Sequence, residues 1–200
     1  KAFPNHQIVY IVRHPLQGLE SWMLDEIKTP FDQGQWSRMV MKFSFMIWEL
    51  CSPFNKANAV GIRLEDVKTN PDATMRKLAV FMGIEDHETL YRSEYCGYKY
   101  WGPSSQQTGP ITGFDQSSIN KPIGRLFNTQ DIILFSILFW PFSKTFSYTD
   151  MSEDDFKTQL CSIRPLLDEP LGFELKLYDK LENKEFLLKD MPPYKALHQK

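Results

Sequence analysis

The residues that could do chemistry stand first at Arg13 and Ser21. A guanidinium grips a phosphate or carboxylate with two parallel N–H bonds, and a hydroxyl further along can add a third. Arg13 ends the uncharged run Ile8-Val9-Tyr10-Ile11-Val12, and Pro15 then turns the chain into a segment carrying Ser21. A run apolar on both faces reads as a strand inside a parallel sheet covered by helices. Ligands of open α/β sheets bind just beyond the carboxyl ends of such strands, which is where this reading places Arg13. The competing reading gives Arg13 a structural salt bridge and Ser21 a place on a helix surface.

Other reactive residue types are less suggestive. Glu65 and Asp66 are adjacent, and on a strand adjacent side chains point apart. One of them is expected to bind an Arg or cap the next turn, not to form an acid/base pair. His14, His87 and His198 are not spaced for a metal, and Cys51, Cys96 and Cys161 form neither a metal-ligand spacing nor a disulfide framework. No metal site is expected. Trp22, Trp36, Tyr95, Tyr98, Tyr100 and Trp101 could line a cleft for a sugar or phenol, or serve as core.

The elements that position these residues follow from periodicity. Leu16, Leu19, Met23 and Ile27 give a helix from Pro15 to about Lys28, and Trp36, Met39, Val40, Phe43, Ile47 and Leu50 give a second from Gln35 to about Leu50. Ala59 to Leu64 reads as a short strand. Asn70-Pro71 opens a helix that Gly83 closes, and Glu85 to Tyr91 reads as a short helical piece. Gly97 to Lys121 is a long polar loop region. Thr129 caps a buried helix to about Phe139 that Pro141 bends or ends. Ser152 to about Leu160 is helical. The alternation Phe173-Glu174-Leu175-Lys176-Leu177, with part of Lys184 to Leu188, predicts a β-hairpin or an extended arm.

Two hundred residues with 42% hydrophobic and 24% charged content suit one globular domain with a small appendage. A net charge of -2 and a pI of about 6.1 exclude a globally basic nucleic-acid footprint. Ile132 to Phe142 is too short to span a bilayer. The cysteine usage favours a reducing, cytoplasmic location, and the absence of an initiator Met suggests that Lys1 is not the native start. Two convincing strands are too few for a helix-covered parallel sheet, so a preceding portion is expected to supply a central strand.

Three segments together resemble the sulfotransferase family that uses 3′-phosphoadenosine 5′-phosphosulfate (PAPS), in its bacterial and carbohydrate-type branch. YIVRHPLQGLES resembles the segment that binds the donor's 3′-phosphate, with Arg13, Pro15 and Ser21 at matching spacing. GIRLEDVKTNPDATMRKLAVFMGI, residues 61–84, is similar to a strand with an acidic end followed by a helix. TGFDQSSINKPIGR, residues 112–125, resembles the loop that closes over the nucleotide, with Lys121, Gly124 and Arg125 matching and Leu126 in place of the usual aromatic. Phe146-Ser147-Tyr148 is similar to the family's terminal Gly-Tyr, with Ser147 in place of Gly.

The resemblance covers residues 1–149 and leaves 150–200 as a C-terminal extension. It implies the C-terminal portion of a P-loop-like, three-layer α/β domain with a parallel sheet and flanking helices. It implies transfer of a sulfuryl group from PAPS to the hydroxyl of a small-molecule or carbohydrate acceptor. Arg13, Ser21, Lys121 and Arg125 would hold the 3′-phosphate of this co-substrate. Neither the family's phosphosulfate loop nor its catalytic base has a counterpart here, so no catalytic residue is assigned. The alternative is a catalytically inactive nucleotide-binding or structural interaction fragment.

Overall fold

The computed structural model describes residues 7–27, 32–51, 58–92, 94–95, 98–99, 114, 116–167, 170–181 and 183–185. The chain divides into two compact units, one made of Lys1–Arg13 with Asn55–Lys121 and the other of His14–Phe54 with Pro122–Lys200. Each unit is thus assembled from two separate stretches of chain.

In the first unit, β1 (Ile8–Val12) pairs in parallel with β2 (Ala59–Arg63), in a register that sets Tyr10 opposite Gly61 and Val12 opposite Arg63. The chain leaves β2 directly into a short helix, α3 (Leu64–Thr69), and then α4 (Pro71–Met82). Glu65 and Asp66 lie in the first turn of α3, where carboxylates favour the helix dipole, and Asp66 pairs with Arg63 at 3.7 Å. Pro71 opens α4 as expected. Gly83 closes it at φ 65°, with Gly83 N–H donating to Val80 and Ile84 N–H to Ala79. The helical piece expected near Glu85 is a single 3-10 turn, Glu88–Tyr91, and Glu94–Tyr95 (β3) pairs antiparallel with Tyr98–Lys99 (β4).

The second unit is helical. It comprises α1 (Pro15–Glu26), α2 (Gln33–Cys51), α5 (Thr129–Leu138), α6 (Trp140–Thr145), α7 (Glu153–Ile163) and α8 (Gly172–Lys180). Leu16, Leu19 and Met23 of α1, Trp36 and Met39 of α2, Phe127, Phe135 and Phe139 around α5, and Phe173 and Leu177 of α8 share one buried cluster. Helix α2 starts two residues before Gln35 because Asp32 and Gln35 cap it reciprocally, with Gln35 N–H donating to Asp32 Oδ1 at 2.8 Å and Asp32 N–H to Gln35 Oε1 at 3.1 Å. The cap of α5 is Asn128, one residue before Thr129: its side chain accepts from Asp131 N–H, and Asp131 accepts from Asn128 N–H. Pro141 sits in the first turn of α6, where its missing N–H costs nothing.

The three-layer α/β expectation is not what these residues form. The described residues hold one pair of parallel strands and one two-residue antiparallel pair, and their remaining regular structure is helical. β1 is not a strand buried on both faces, since Ile11 is 60% exposed and Val12 alone is buried. Continuous apolarity over five residues described a strand with a single neighbour equally well. The hairpin expected at Phe173–Leu177 is helix α8, because Phe173, Leu177, Tyr178 and Leu181 recur at helical spacing and are all buried. Residues 186–188 of that hairpin's second arm and most of the Gly97 to Lys121 loop lie outside the described residues.

One helix end is built with an unfavourable residue. After α6, Ser147 N–H donates to Lys144 and Tyr148 N–H to Ser143, the two bonds of a Schellman turn. That turn needs a left-handed residue, and Ser147 adopts φ 54°. Glycine carries no Cβ penalty there. Ser147→Gly is expected to stabilise the protein by about 0.5–1 kcal/mol, read as a higher urea midpoint at constant slope. A lower midpoint would show that the serine hydroxyl outweighs the backbone strain.

Candidate functional site

The most connected polar side chain of the second unit is Glu20, which is 0% exposed. Its Oε1 accepts N–H bonds from Gly124 at 3.0 Å, Leu126 at 2.7 Å and Phe127 at 3.1 Å. Its Oε2 accepts from Arg125 Nε at 3.3 Å. Gly124 adopts φ 101°, a conformation that side-chain-bearing residues rarely take, and this turns the neighbouring amides toward the carboxylate. Arg125 also donates from its terminal nitrogen to Ser21 Oγ at 3.0 Å and from Nε to the Pro122 carbonyl at 3.0 Å.

Two of the four residues assigned from the sequence, Ser21 and Arg125, are therefore brought into contact with each other. Their roles differ from those expected. Ser21 accepts a hydrogen bond from Arg125. The cation and the amide nest around it already enclose a carboxylate of the chain itself. Glu20 was missed, although it falls at helical spacing among Leu16, Leu19 and Met23. A carboxylate on an apolar helix face signals a buried anion with partners elsewhere.

Arg13 lies in the first unit, past the end of β1. Its terminal nitrogen donates to the Ser118 carbonyl at 2.5 Å. Lys68, from the last turn of α3, donates to Ser118 Oγ at 2.7 Å, and Gln116 Nε2 donates to the Lys68 carbonyl at 3.2 Å. Residues 117–119 form a turn, with Ile119 N–H donating to Gln116. Two cations thus meet one residue of this turn beyond the carboxyl ends of β1 and β2. Lys68 was not singled out by sequence, because it falls between the strand expected to end near Leu64 and the helix expected to open at Asn70. Lys121 is exposed at the end of the same segment.

Local pairing accounts for the shifts at Glu26, Asp86 and Tyr91. The side-chain hydrogen bond from Lys42, at 2.7 Å, holds Glu26 below the usual carboxylate range. The hydrogen bond from Tyr91, helped by Arg76, lowers Asp86 and raises the Tyr91 phenol in turn. His14, which stood in the resemblance segment, packs edge-on against Tyr148 at 5.3 Å. Trp36 belongs to the core at 5% exposure, and Trp22 donates to Glu26. Tyr100 and Trp101 lie outside the described residues. No group of three or more His, Cys, Asp or Glu among the described residues is arranged to hold a metal ion.

The sulfotransferase assignment and its PAPS co-substrate fall with the three-layer domain. A donor site of that kind needs several parallel strands delivering loops to one edge, and the described residues present two strands. They form no nucleotide-binding motif. The transferase and P-loop-like descriptions are corrected on the same ground. Comparison of the chain with protein-family models, curated proteins and solved structures returned no match.

Proposed function

We propose that the chain is a binding module for a small molecule or carbohydrate bearing a tetrahedral oxyanion group, sulfate or phosphate. The first unit would hold that group with Arg13 and Lys68. The observation that carries the reading is the convergence of both side chains on Ser118. Arg13 donates to the Ser118 carbonyl and Lys68 to its hydroxyl, and donors gathered in this way suit the several oxygens of a tetrahedral oxyanion. Arg13 offers the forked donor geometry that suits such a group, and Lys68 a mobile point charge. Lys121 is the third cation assigned to this site, three residues beyond Ser118. In the second unit, Ser21 and Arg125 are the candidates for the same chemistry, as a hydroxyl and a guanidinium side by side. No bond-making step is assigned.

No helix of the described residues is long and apolar enough to cross a membrane. The cytoplasmic placement is part of this proposal, supported by the cysteine usage and by Cys161, whose thiol is free and exposed.

Calorimetric titration with inorganic sulfate and phosphate tests the reading. Wild type is expected to bind at least one of them saturably. Arg13→Ala and Lys68→Ala should each weaken that binding by roughly tenfold or more, the scale of a lost charge-assisted hydrogen bond. Unchanged affinity in both variants, or no saturable binding by folded wild type, overturns it.

A further inference from the structure

The second unit contains a pocket of about 160 Å³ between α1, α2 and α8. Trp36, Met39 and Phe43 of α2 and Phe173 and Leu177 of α8 form its walls, and among the described residues Glu174 is the one ionisable residue lining it. A cavity of roughly 150 Å³ lined by apolar side chains stays dry and accepts a single benzene ring. The size and lining here therefore suit one aromatic ring. Trp36 and Phe173 are 5% and 3% exposed, so both rings are fixed by the core and do not have to be ordered by a ligand.

Glu174 gives the pocket a chemical preference. Its Oε2 accepts from Leu171 N–H at 2.8 Å, at the start of α8. Among the described residues it forms no ion pair. Burial pushes its carboxyl above the ordinary value, and the nearby Asp131 carboxylate pushes the same way. Asp131 itself is 0% exposed and accepts from the Asn128, Gly172 and Phe173 N–H groups, so its place is fixed. The Glu174 carboxylate lines the pocket, and a carboxylate at an apolar wall favours a cation there.

We propose that this pocket binds a small arylalkylamine, its ring held among Trp36, Phe43 and Phe173 and its ammonium group paired with Glu174. The ring would be buried in aromatic contacts, and the ammonium would form a charge-assisted bond with a carboxylate already held in place by Leu171 N–H. A ligand of the same shape without charge gains the first interaction and not the second.

The probes are 2-phenylethylamine and its uncharged analogue 2-phenylethanol, titrated at neutral pH by calorimetry and by tryptophan emission. Wild type is expected to bind the amine saturably, with a change in emission, and the alcohol at least roughly tenfold more weakly. Glu174→Gln keeps a side-chain oxygen for Leu171 N–H and is expected to bind both probes alike. Val40→Phe, at a 38% exposed position lining the pocket, adds bulk without removing core and is expected to weaken both probes. Equal affinity of wild type for amine and alcohol overturns the proposal, as does an amine preference that persists in folded Glu174→Gln. Failure of folded wild type to bind the amine saturably at millimolar concentration overturns it as well.

Discussion

Glu20→Ala is expected to lower the free energy of unfolding by about 3–5 kcal/mol. The substitution leaves the N–H groups of Gly124, Leu126 and Phe127 facing a void and strips Arg125 of its carboxylate. Each buried donor without an acceptor costs about 1–3 kcal/mol. Arg125→Ala should cost less than half as much, since three amides continue to hold the carboxylate. Glu20→Gln should fall between the two, because its oxygen can serve Oε1's donors while its amide opposes the guanidinium. Denaturant unfolding of the three variants, followed by circular dichroism, gives the ranking. A loss below about 1 kcal/mol for Glu20→Ala would mean that water takes over the acceptor role, and the account of this loop would be wrong.

The second large effect concerns the aromatic core. Phe135→Ala should destabilise by about 3–5 kcal/mol. Phe135 is 1% exposed and touches four other rings: Phe43 at 5.7 Å, Phe127 at 5.2 Å, Phe139 at 5.6 Å in a stacked arrangement, and Phe173 at 5.5 Å. Those neighbours come from α2, the α5 entry loop, the end of α5 and α8, so no single helix can shift to fill the hole. Phe156→Ala removes a ring stacked on Trp140 at 4.4 Å from a partly exposed site. It should cost distinctly less, because water and neighbouring side chains can relax into the space. Similar losses from both substitutions would show that ring number alone, not burial, sets the cost.

Much of the helical framework was legible because it repeats. The apolar residues of α1, α2 and α4 recur at three- and four-residue spacing, and their boundaries carry local signals such as Pro15, Asn70-Pro71 and Gly83. What failed was decided at a distance. Phe173 to Leu177 alternates over five residues and is also spaced i, i+4. The choice of helix shows in Asp131, which accepts the Gly172 and Phe173 N–H groups from 41 and 42 residues away. A Cβ at Gly172 would fall 1.9 Å from the Asn128 amide nitrogen, a constraint that no local pattern expresses. The strand Ala59 to Leu64 was found nearly to its limits, but Glu65-Asp66 was read as its acidic end when it begins α3.

The site divides along the same line. The ordered segments around Arg13, Ser21, Lys121 and Arg125 suggested a shared donor site within a larger sheet. Arg125 and Ser21 do meet, directly, beside a carboxylate one residue before Ser21 that no family pattern pointed to. Lys68 reaches Ser118 from 50 residues away. Sequence spacing identified cations, and the fold decided what each one holds.

The helical unit is interrupted in the chain: His14–Phe54 is separated from Pro122–Lys200 by Asn55–Lys121. On a ribosome, Glu20 and the apolar faces of α1 and α2 emerge first. The residues that complete their burial in this unit, Leu126, Phe127 and those of α5, are made only later. At about 5–20 residues per second, that exposure lasts some seconds. Leu19, Met23, Trp36 and Met39 would spend that interval in water or on a chaperone. A chain ending at Lys121 should therefore bind a hydrophobic dye such as ANS, and the full chain should not. Equal dye binding would show that the early segment closes on itself, and that its later partners replace contacts already made.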